Sequence, residues 1–468
     1  MRLNSHANGR PVKTTASEIA LDRTSRLLSQ SVMPEQEPQG YYAASIAPEP
    51  PRPALNGRRT CDICVVGGGY TGLSAALHAA GTGARVILLE AQRVGFGASG
   101  RNGGQIHTGL RKEQSELEAW LGAAHARDLW SLSEEAKALL RALVARHEIA
   151  CELRTGLITA AHDAGAARAL AKETEHLERS YGYRAMRMLD AAETAKQTGS
   201  RVYRGGRFDE AGGHLHPLLY ARGLARASEA AGAAIFEESC VEAIDDAQGR
   251  VELRCADGSV VADRAILATD ADTGAIAPEL DRFIGHVESF VTATVPLPPS
   301  LANEILPGNA AVADTRHVLD YYRKSADERL LFAGREAYFG MPADIAALVR
   351  PRMLRVFPQL RDVATEYAWN GTVGITVTRM PHFGRLSKRV LFAQGYSGQG
   401  VALATLGGRL LAEAAMGHNE RFDVFARVPA RPFPGGRFLR RPLIAAALMA
   451  YKLADSLEQI FDKTNKKS

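Results

Sequence analysis

An α/β fold of two domains is what this sequence predicts, on three observations. The chain has 468 residues, 46% of them hydrophobic, enough to bury more than one core. Near its start an apolar run, a tight glycine turn, a helical pattern and a second apolar run follow one another directly. Close to its end the strand pattern Val390–Gln394 leads into another glycine-rich turn and another helix. Strands alternating with helices build parallel sheets covered on both faces.

The first of these units is the most specific. In Cys61-Asp62-Ile63-Cys64-Val65-Val66-Gly67-Gly68-Gly69-Tyr70-Thr71-Gly72, residues Gly67, Gly69 and Gly72 carry the spacing G-x-G-x-x-G. The first glycine permits the sharp turn, the second admits a pyrophosphate to the backbone, and the third lets the helix pack close to its strand. The helix Leu73 to Ala80 then offers free N–H groups and a positive dipole end to the diphosphate. After a break at Gly81–Gly83, the strand Arg85-Val86-Ile87-Leu88-Leu89-Glu90 ends in an acid where ribose hydroxyls need one. Cys61 and Cys64 form a C-x-x-C with two readings. A redox pair belongs at a helix N-terminus, whereas these two fall in a strand, which fits small apolar core residues.

The remaining elements follow in order. Residues 1 to about 57 are polar, end in Pro48-Glu49-Pro50-Pro51-Arg52-Pro53 and read as an extended leader, partly disordered, with Tyr41-Tyr42 able to pack on the body. Glu113 to His147 reads as helix, Cys151 to Ala160 as strand, Ala164 to Tyr181 and Pro217 to Ala231 as helices. Strand patterns at Ala234–Glu237, Val241–Ile244, Val251–Cys255 and Ala265–Ala268 suggest a meander and a closing strand beside the nucleotide. Those at Val287–Val295, Val318–Arg323 and Leu330–Phe332 suggest an antiparallel sheet walling a second domain. A helix at Ala343 to Val356 is expected to break or kink at Pro351. Beyond Pro442, the apolar stretch Leu443 to Ala450 reads as a docking or amphipathic helix.

The late turn, Gly395-Tyr396-Ser397-Gly398-Gln399-Gly400, needs its own explanation. A nicotinamide dinucleotide has no evident use for a second helix N-terminus so far along the chain, but FAD does. Its ring lies far from its adenine, and a helix dipole there stabilises the anionic reduced form. An ordinary glycine-rich turn is the alternative.

Composition narrows the function. The net charge of +5 is small and dispersed, which argues against nucleic-acid binding. No run of eighteen uncharged apolar residues predicts a membrane span, and the N-terminus carries no secretory pattern, so a cytoplasmic location is the default expectation. Five scattered cysteines, an odd number, suit reduced thiols. With no H-E-x-x-H, no Ser-His-Asp order and no zinc spacing, no metal site is expected.

The chain resembles the FAD-dependent glycine oxidase, sarcosine oxidase and D-amino-acid oxidase superfamily, and within it the gamma-glutamylputrescine oxidase branch. The residues that carry the resemblance are Gly67 to Ser74, the run Gly95-Phe96-Gly97-Ala98-Ser99-Gly100-Arg101-Asn102-Gly103-Gly104-Gln105, Gly213-His214-Leu215-His216-Pro217, and Pro381-His382-Phe383-Gly384-Arg385-Leu386. It implies a Rossmann-like FAD-binding domain, discontinuous in sequence, with a mixed-sheet substrate domain. The FAD domain is expected from 58–112, 205–285 and 365–420, the substrate domain from 113–204 and 286–364, and a helical extension from 421–468. By the same resemblance, Gly67, Gly69, Tyr70, Thr71 and Gly72 hold the pyrophosphate and Glu90 the ribose. Ser99, Arg101, Asn102, Gly103 and Gln105 run past phosphates and flavin, Val241 and Ala268 border the nucleotide, and Gly398, Gln399 and Gly400 face the ring. Gln399 stands where the family commonly has His, Asp270 where it frequently has Asn, and Thr378-Arg379-Met380 where many relatives have an Asp. No cysteine follows Cys255, so FAD is expected to be non-covalent.

Catalytic groups are not evident from the sequence, since flavin-based amine oxidation needs positioning rather than a nucleophile. Substrate-pocket candidates are His214 and His216, as polar contacts tuned near neutral pH or as a helix-entry pair with one ring at the surface and one in the core. Tyr322 and Arg323 are candidates for an aromatic wall and a carboxylate receptor, or for strand-end residues. Trp369 is a candidate for stacking on substrate, or for core packing. The expected activity is oxidation of a small-molecule amine, gamma-glutamylputrescine or a related glutamylated polyamine, with molecular oxygen as acceptor. The alternatives are a dehydrogenase passing electrons to a quinone or carrier, and a flavin-binding protein without turnover. Oligomeric state is not legible.

Overall fold

A computed structural model describes residues 40–247, 249–337 and 341–434. The N-terminal leader up to residue 39 and the expected helix Leu443 to Ala450 lie outside the described residues.

Two sheets organise the chain. The first runs, in spatial order, His382–Arg385, Val390–Gln394, Gly258–Leu267, Gly57–Val66, Val86–Leu89 and Ala234–Phe236, and the inner strands pair in parallel. Its centre shows the two-sided burial that parallel sheets impose. Ile63 and Val65 enter the core beneath the helices Tyr70–Ala80 and Gly400–Ala415, while Cys61, Cys64 and Val66 enter the core on the opposite face. Both cysteines are therefore buried free thiols, and burial pushes the Cys64 thiol well above its ordinary range. The two helices that follow glycine turns press on each other. A side chain on Gly408 would collide with the Thr71 carbonyl, and Ser74 Oγ donates to the Thr405 carbonyl at 2.6 Å.

The second sheet runs Thr365–Ile375, Gly285–Thr294, Leu330–Ala337, Tyr321–Lys324, Ala311–Asp314, Arg154–Ala161, Gly205–His214 and Gln105–Ile106. Its strands are antiparallel except where Ala311–Asp314 pairs in parallel with Arg154–Ala161, which makes the sheet mixed. Strands Gly205–His214 and Thr365–Ile375, placed with the nucleotide segments on sequence grounds, pair into this second sheet instead. Its outer face is filled by Phe290, Tyr322, Phe332 and the helix Ile345–Val356.

Several expectations change. The long helix is two, Gln114–Leu121 and Ala123–Arg146, separated by Gly122 at φ 86°, a conformation only glycine adopts freely. Helix Ile345–Val356 continues through Pro351, which sits in its interior. Val241 precedes the short strand Ala243–Asp245 rather than belonging to it, but is buried with Val66 and Leu89.

Candidate active site

The first glycine turn is built for close approach. Gly67 adopts φ 107°, and a Cβ there would stand 2.6 Å from the Ala268 carbonyl oxygen; a Cβ on Gly72 would overlap the Gly67 carbonyl. Substitution would therefore lift the helix off its strand. A Cβ on Gly69 would meet Ser99 Oγ at 2.8 Å. Ala268 is fixed by its own N–H, which donates to Val66 at 2.8 Å. Among the described residues, the N-cap positions Gly69 and Gln399 place no side chain on the helices that start at Tyr70 and Gly400, whereas Asp163, Asp190 and His216 cap helices elsewhere. Apart from the Tyr70 N–H, which Ser99 takes, the N–H groups of these first turns form the kind of anion-seeking surface that a dinucleotide uses.

Glu90 closes the turn. Its carboxylate accepts from the Gly68 and Gln92 N–H groups, and desolvation raises its pKa. The side chains of Tyr70 and Thr71 are engaged within the protein. The Tyr70 hydroxyl donates to the Pro217 carbonyl at 3.1 Å, its N–H donates to Ser99 Oγ at 3.0 Å, and Thr71 Oγ1 bonds the Tyr396 hydroxyl at 2.9 Å. The last bond ties the first glycine turn to the last.

At that last turn, Gly398 adopts φ 90°, and Gln399 Oε1 is sealed from solvent without a hydrogen-bond partner among the described residues. A buried amide oxygen left unpaired costs free energy that a ligand N–H recovers. Asp270 supplies the other support. Held at φ 47°, it accepts from the Gly395 N–H at 2.6 Å and from the Gly374 N–H, and burial pushes its carboxyl up to about 6. Asp270, which stands where the family frequently has Asn, thus ties the final turn to the second sheet.

The loop Ser99 to Gln105 is braced from the second sheet. Asn102 Oδ1 accepts from the Gly104 N–H at 2.7 Å, and its Nδ2 donates to the Ala98 and Ser99 carbonyls. Arg101 Nε donates to the Phe96 carbonyl at 2.7 Å, with the guanidinium over the Phe96 ring. Trp369 Nε1 donates to the Arg101 carbonyl at 2.9 Å, and Arg323 Nε to the Gly103 carbonyl at 2.8 Å. The Tyr321 ring lies so close to Gly103 that a Cβ there would stand 2.7 Å from it. Gln105 is buried and donates to the Val312 carbonyl at 2.8 Å.

This arrangement reassigns the pocket candidates. Arg323 is 2% exposed and also donates to the Lys324 carbonyl and the Tyr42 hydroxyl, so it holds the loop. Tyr322 points to the opposite face, stacked on Phe332 with its hydroxyl on Tyr203. Alternation along the strand puts Tyr321 on the loop side, a signal that sequence periodicity contains. His214 and His216 are both buried, contrary to a surface-and-core pair. His214 Nε2 bonds the Asn309 carbonyl, while His216 Nδ1 caps the helix Pro217–Ala230 and its Nε2 meets Ser45 Oγ. Desolvation and the Arg323 charge push both rings down to about 3, so neither titrates near neutrality.

Two braced glycine turns, an acid at the end of the second strand and an unpaired amide oxygen at the last turn fit a long dinucleotide such as FAD. The chain belongs to the family described as DAO, FAD dependent oxidoreductase, whose model matches residues 62–414. It is an FAD-dependent oxidoreductase homologous to amine and amino-acid oxidases. It is 42% identical over 419 residues to the gamma-glutamylputrescine oxidoreductase of Escherichia coli K12, covering 89% of this chain and 98% of that protein. In fold it is similar to glycine oxidase from Geobacillus kaustophilus, with a TM-score of 0.66 and 20% identity over 76% of this chain and 95% of the other. L-proline dehydrogenase from P. horikoshii gives a TM-score of 0.65 at 17% identity, over 77% and 93% of the two chains. No described helix is long and apolar enough to cross a membrane.

Proposed function

We propose that the protein oxidises the CH–NH2 group of gamma-glutamylputrescine or a related glutamylated polyamine. Amine, oxygen and water give an aldehyde, ammonia and hydrogen peroxide. The observation that carries this reading is the 42% identity, extending over nearly all of the relative, to a gamma-glutamylputrescine oxidoreductase. FAD, when bound, supplies the acceptor for the two electrons and returns them to oxygen. Gly67, Gly69, Gly72 and Glu90 would hold its nucleotide end without a covalent link, and Gly398, Gln399 and Gly400 its ring end. The chain's own task is to place the amine and keep bulk water away.

His214 and His216 stay neutral with pKa values of about 3, and Gln399 has no exchangeable charge, so these groups do not deprotonate a substrate ammonium. The amine must arrive neutral. Flavin reduction should therefore accelerate with rising pH toward the amine's own pKa, about 10 for an alkylammonium, and any limb near 6 should vanish in Asp270→Asn, whose native carboxyl titrates there. A limb at about 6.5 that persists in Asp270→Asn with substrates of different amine pKa would contradict this assignment. The acceptor is tested by re-aeration after anaerobic reduction. One peroxide per aldehyde is expected, whereas reduced protein that reoxidises only on adding a quinone makes it a dehydrogenase.

A further inference from the structure

One cationic side chain is left over. Arg207, in the strand Gly205–His214, has Nε and Nη1 sealed from solvent, yet neither has a hydrogen-bond partner among the described residues. Charged donors buried unpaired are costly, and an anion placed between them removes the cost.

The register says where that anion would lie. Directly paired residues on neighbouring strands share a face of the sheet. Tyr321 pairs with Ala313, Ala313 with Thr159, and Thr159 with Arg207. Arg207 therefore stands on the same face as the Tyr321 ring, which lies against Gly103 of the cofactor loop. Between them the row holds only a methyl group and a threonine, a low floor between a tall aromatic and a tall cation. Three strand spacings separate the ends of this row, about 14 Å. Ten bonds link the terminal nitrogen of gamma-glutamylputrescine to its carboxylate carbon, about 12 Å when extended. The charges around it are mixed, with Arg111 beside Arg207 and the acids Glu113, Glu173 and Asp209 nearby. Arg111 and Arg207 both act on His107, which burial holds near a pKa of about 4, while Glu113 is the nearby acid whose carboxyl feels the Arg207 charge. Asp209, two residues on, is already occupied by Thr108 and Tyr183.

We propose that Arg207 receives the carboxylate of the substrate's glutamyl end, a specificity contact that rests on the amine-oxidation reading above. The row from Tyr321 to Arg207 then acts as a ruler, setting the reacting amine at the cofactor loop when the carboxylate is seated.

The test uses holoprotein and two probes, gamma-glutamylputrescine and gamma-glutamylbutylamide, which keeps the glutamyl end but lacks the terminal amine. In Arg207→Met, the dissociation constant for both is expected to rise about 10- to 100-fold, the loss of a charge-assisted pair. The preference for gamma-glutamylputrescine over putrescine in the reductive half-reaction should fall by the same factor, and Arg207→Lys should restore part of it. Unchanged affinity for the butylamide, or an equal loss for putrescine, overturns the proposal. Wild-type protein that binds the butylamide through Arg207 but is not bleached by gamma-glutamylputrescine supports the carboxylate site and refutes the amine reading. Wild-type protein that binds neither probe overturns both.

Discussion

Asp270 is a residue whose chemistry runs against the usual carboxylate pattern. Its folded pKa is raised to about 6 by burial, against about 4 in an unfolded chain, so the native state binds the proton more tightly. Its contribution is most favourable below pH 4 and is lost as pH rises through 6. Asp270→Asn keeps an acceptor for the Gly395 N–H and suits the left-handed φ of 47°. The variant should gain about 1–2 kcal/mol relative to wild type between pH 4.5 and pH 7.5, read from thermal unfolding of the holoprotein at both values. A difference that does not change with pH would contradict the burial argument. Gly72 makes the opposite case, since Gly72→Ala forces a methyl group into the Gly67 carbonyl. Colourless or insoluble protein is expected, and a variant that takes up FAD with native affinity would show that the turn has room. Gly72 was legible from spacing alone, because the G-x-G-x-x-G pattern encodes a backbone collision that any side chain would cause. Asp270 was visible only as an oddity, because its partners lie more than a hundred residues away in sequence, at Gly374 and Gly395.

At the scale of elements, the loop Ser99 to Gln105 owes its shape to strands of the second sheet. Trp369→Phe removes one hydrogen bond to the Arg101 carbonyl and keeps the aromatic packing. It should weaken FAD binding about fivefold, equivalent to about 1 kcal/mol, measured by flavin fluorescence on titrating apoprotein. Arg323→Met frees the Gly103 carbonyl and leaves the Tyr42 hydroxyl without its donor, and should weaken binding more. Native affinity in both variants would mean that the loop holds its shape without these braces. The sequence singled out Trp369 and Arg323 but left each open between a substrate contact and a core or strand-end residue, because residue type shows chemistry without direction. The strand Gly205–His214 escaped sequence reading because its four glycines hide the strand pattern. Neighbours on both sides impose the extended form.

Across the whole molecule, the segment following Gly40 acts as a pin. Tyr42 is 2% exposed, packs edge-on against Trp369 and His216, and meets Arg323 through its hydroxyl. Further along, Arg52 pairs with Glu229 and Glu237. Tyr42→Ala should cost about 3–5 kcal/mol of stability and loosen FAD as well, because the cavity opens beside Arg323. The parallel sheet and its glycine turns were readable because they repeat a local pattern. The mixed sheet was partly readable, since its order depends on pairings between distant segments. The account is tested most directly by anaerobic titration of the yellow holoprotein with gamma-glutamylputrescine, beside putrescine, sarcosine, glycine and D-alanine. Stoichiometric bleaching of the flavin by gamma-glutamylputrescine, with the other amines far weaker, is the predicted result. A fully loaded flavin that stays oxidised with gamma-glutamylputrescine, or that is bleached better by a simple amino acid, would contradict it.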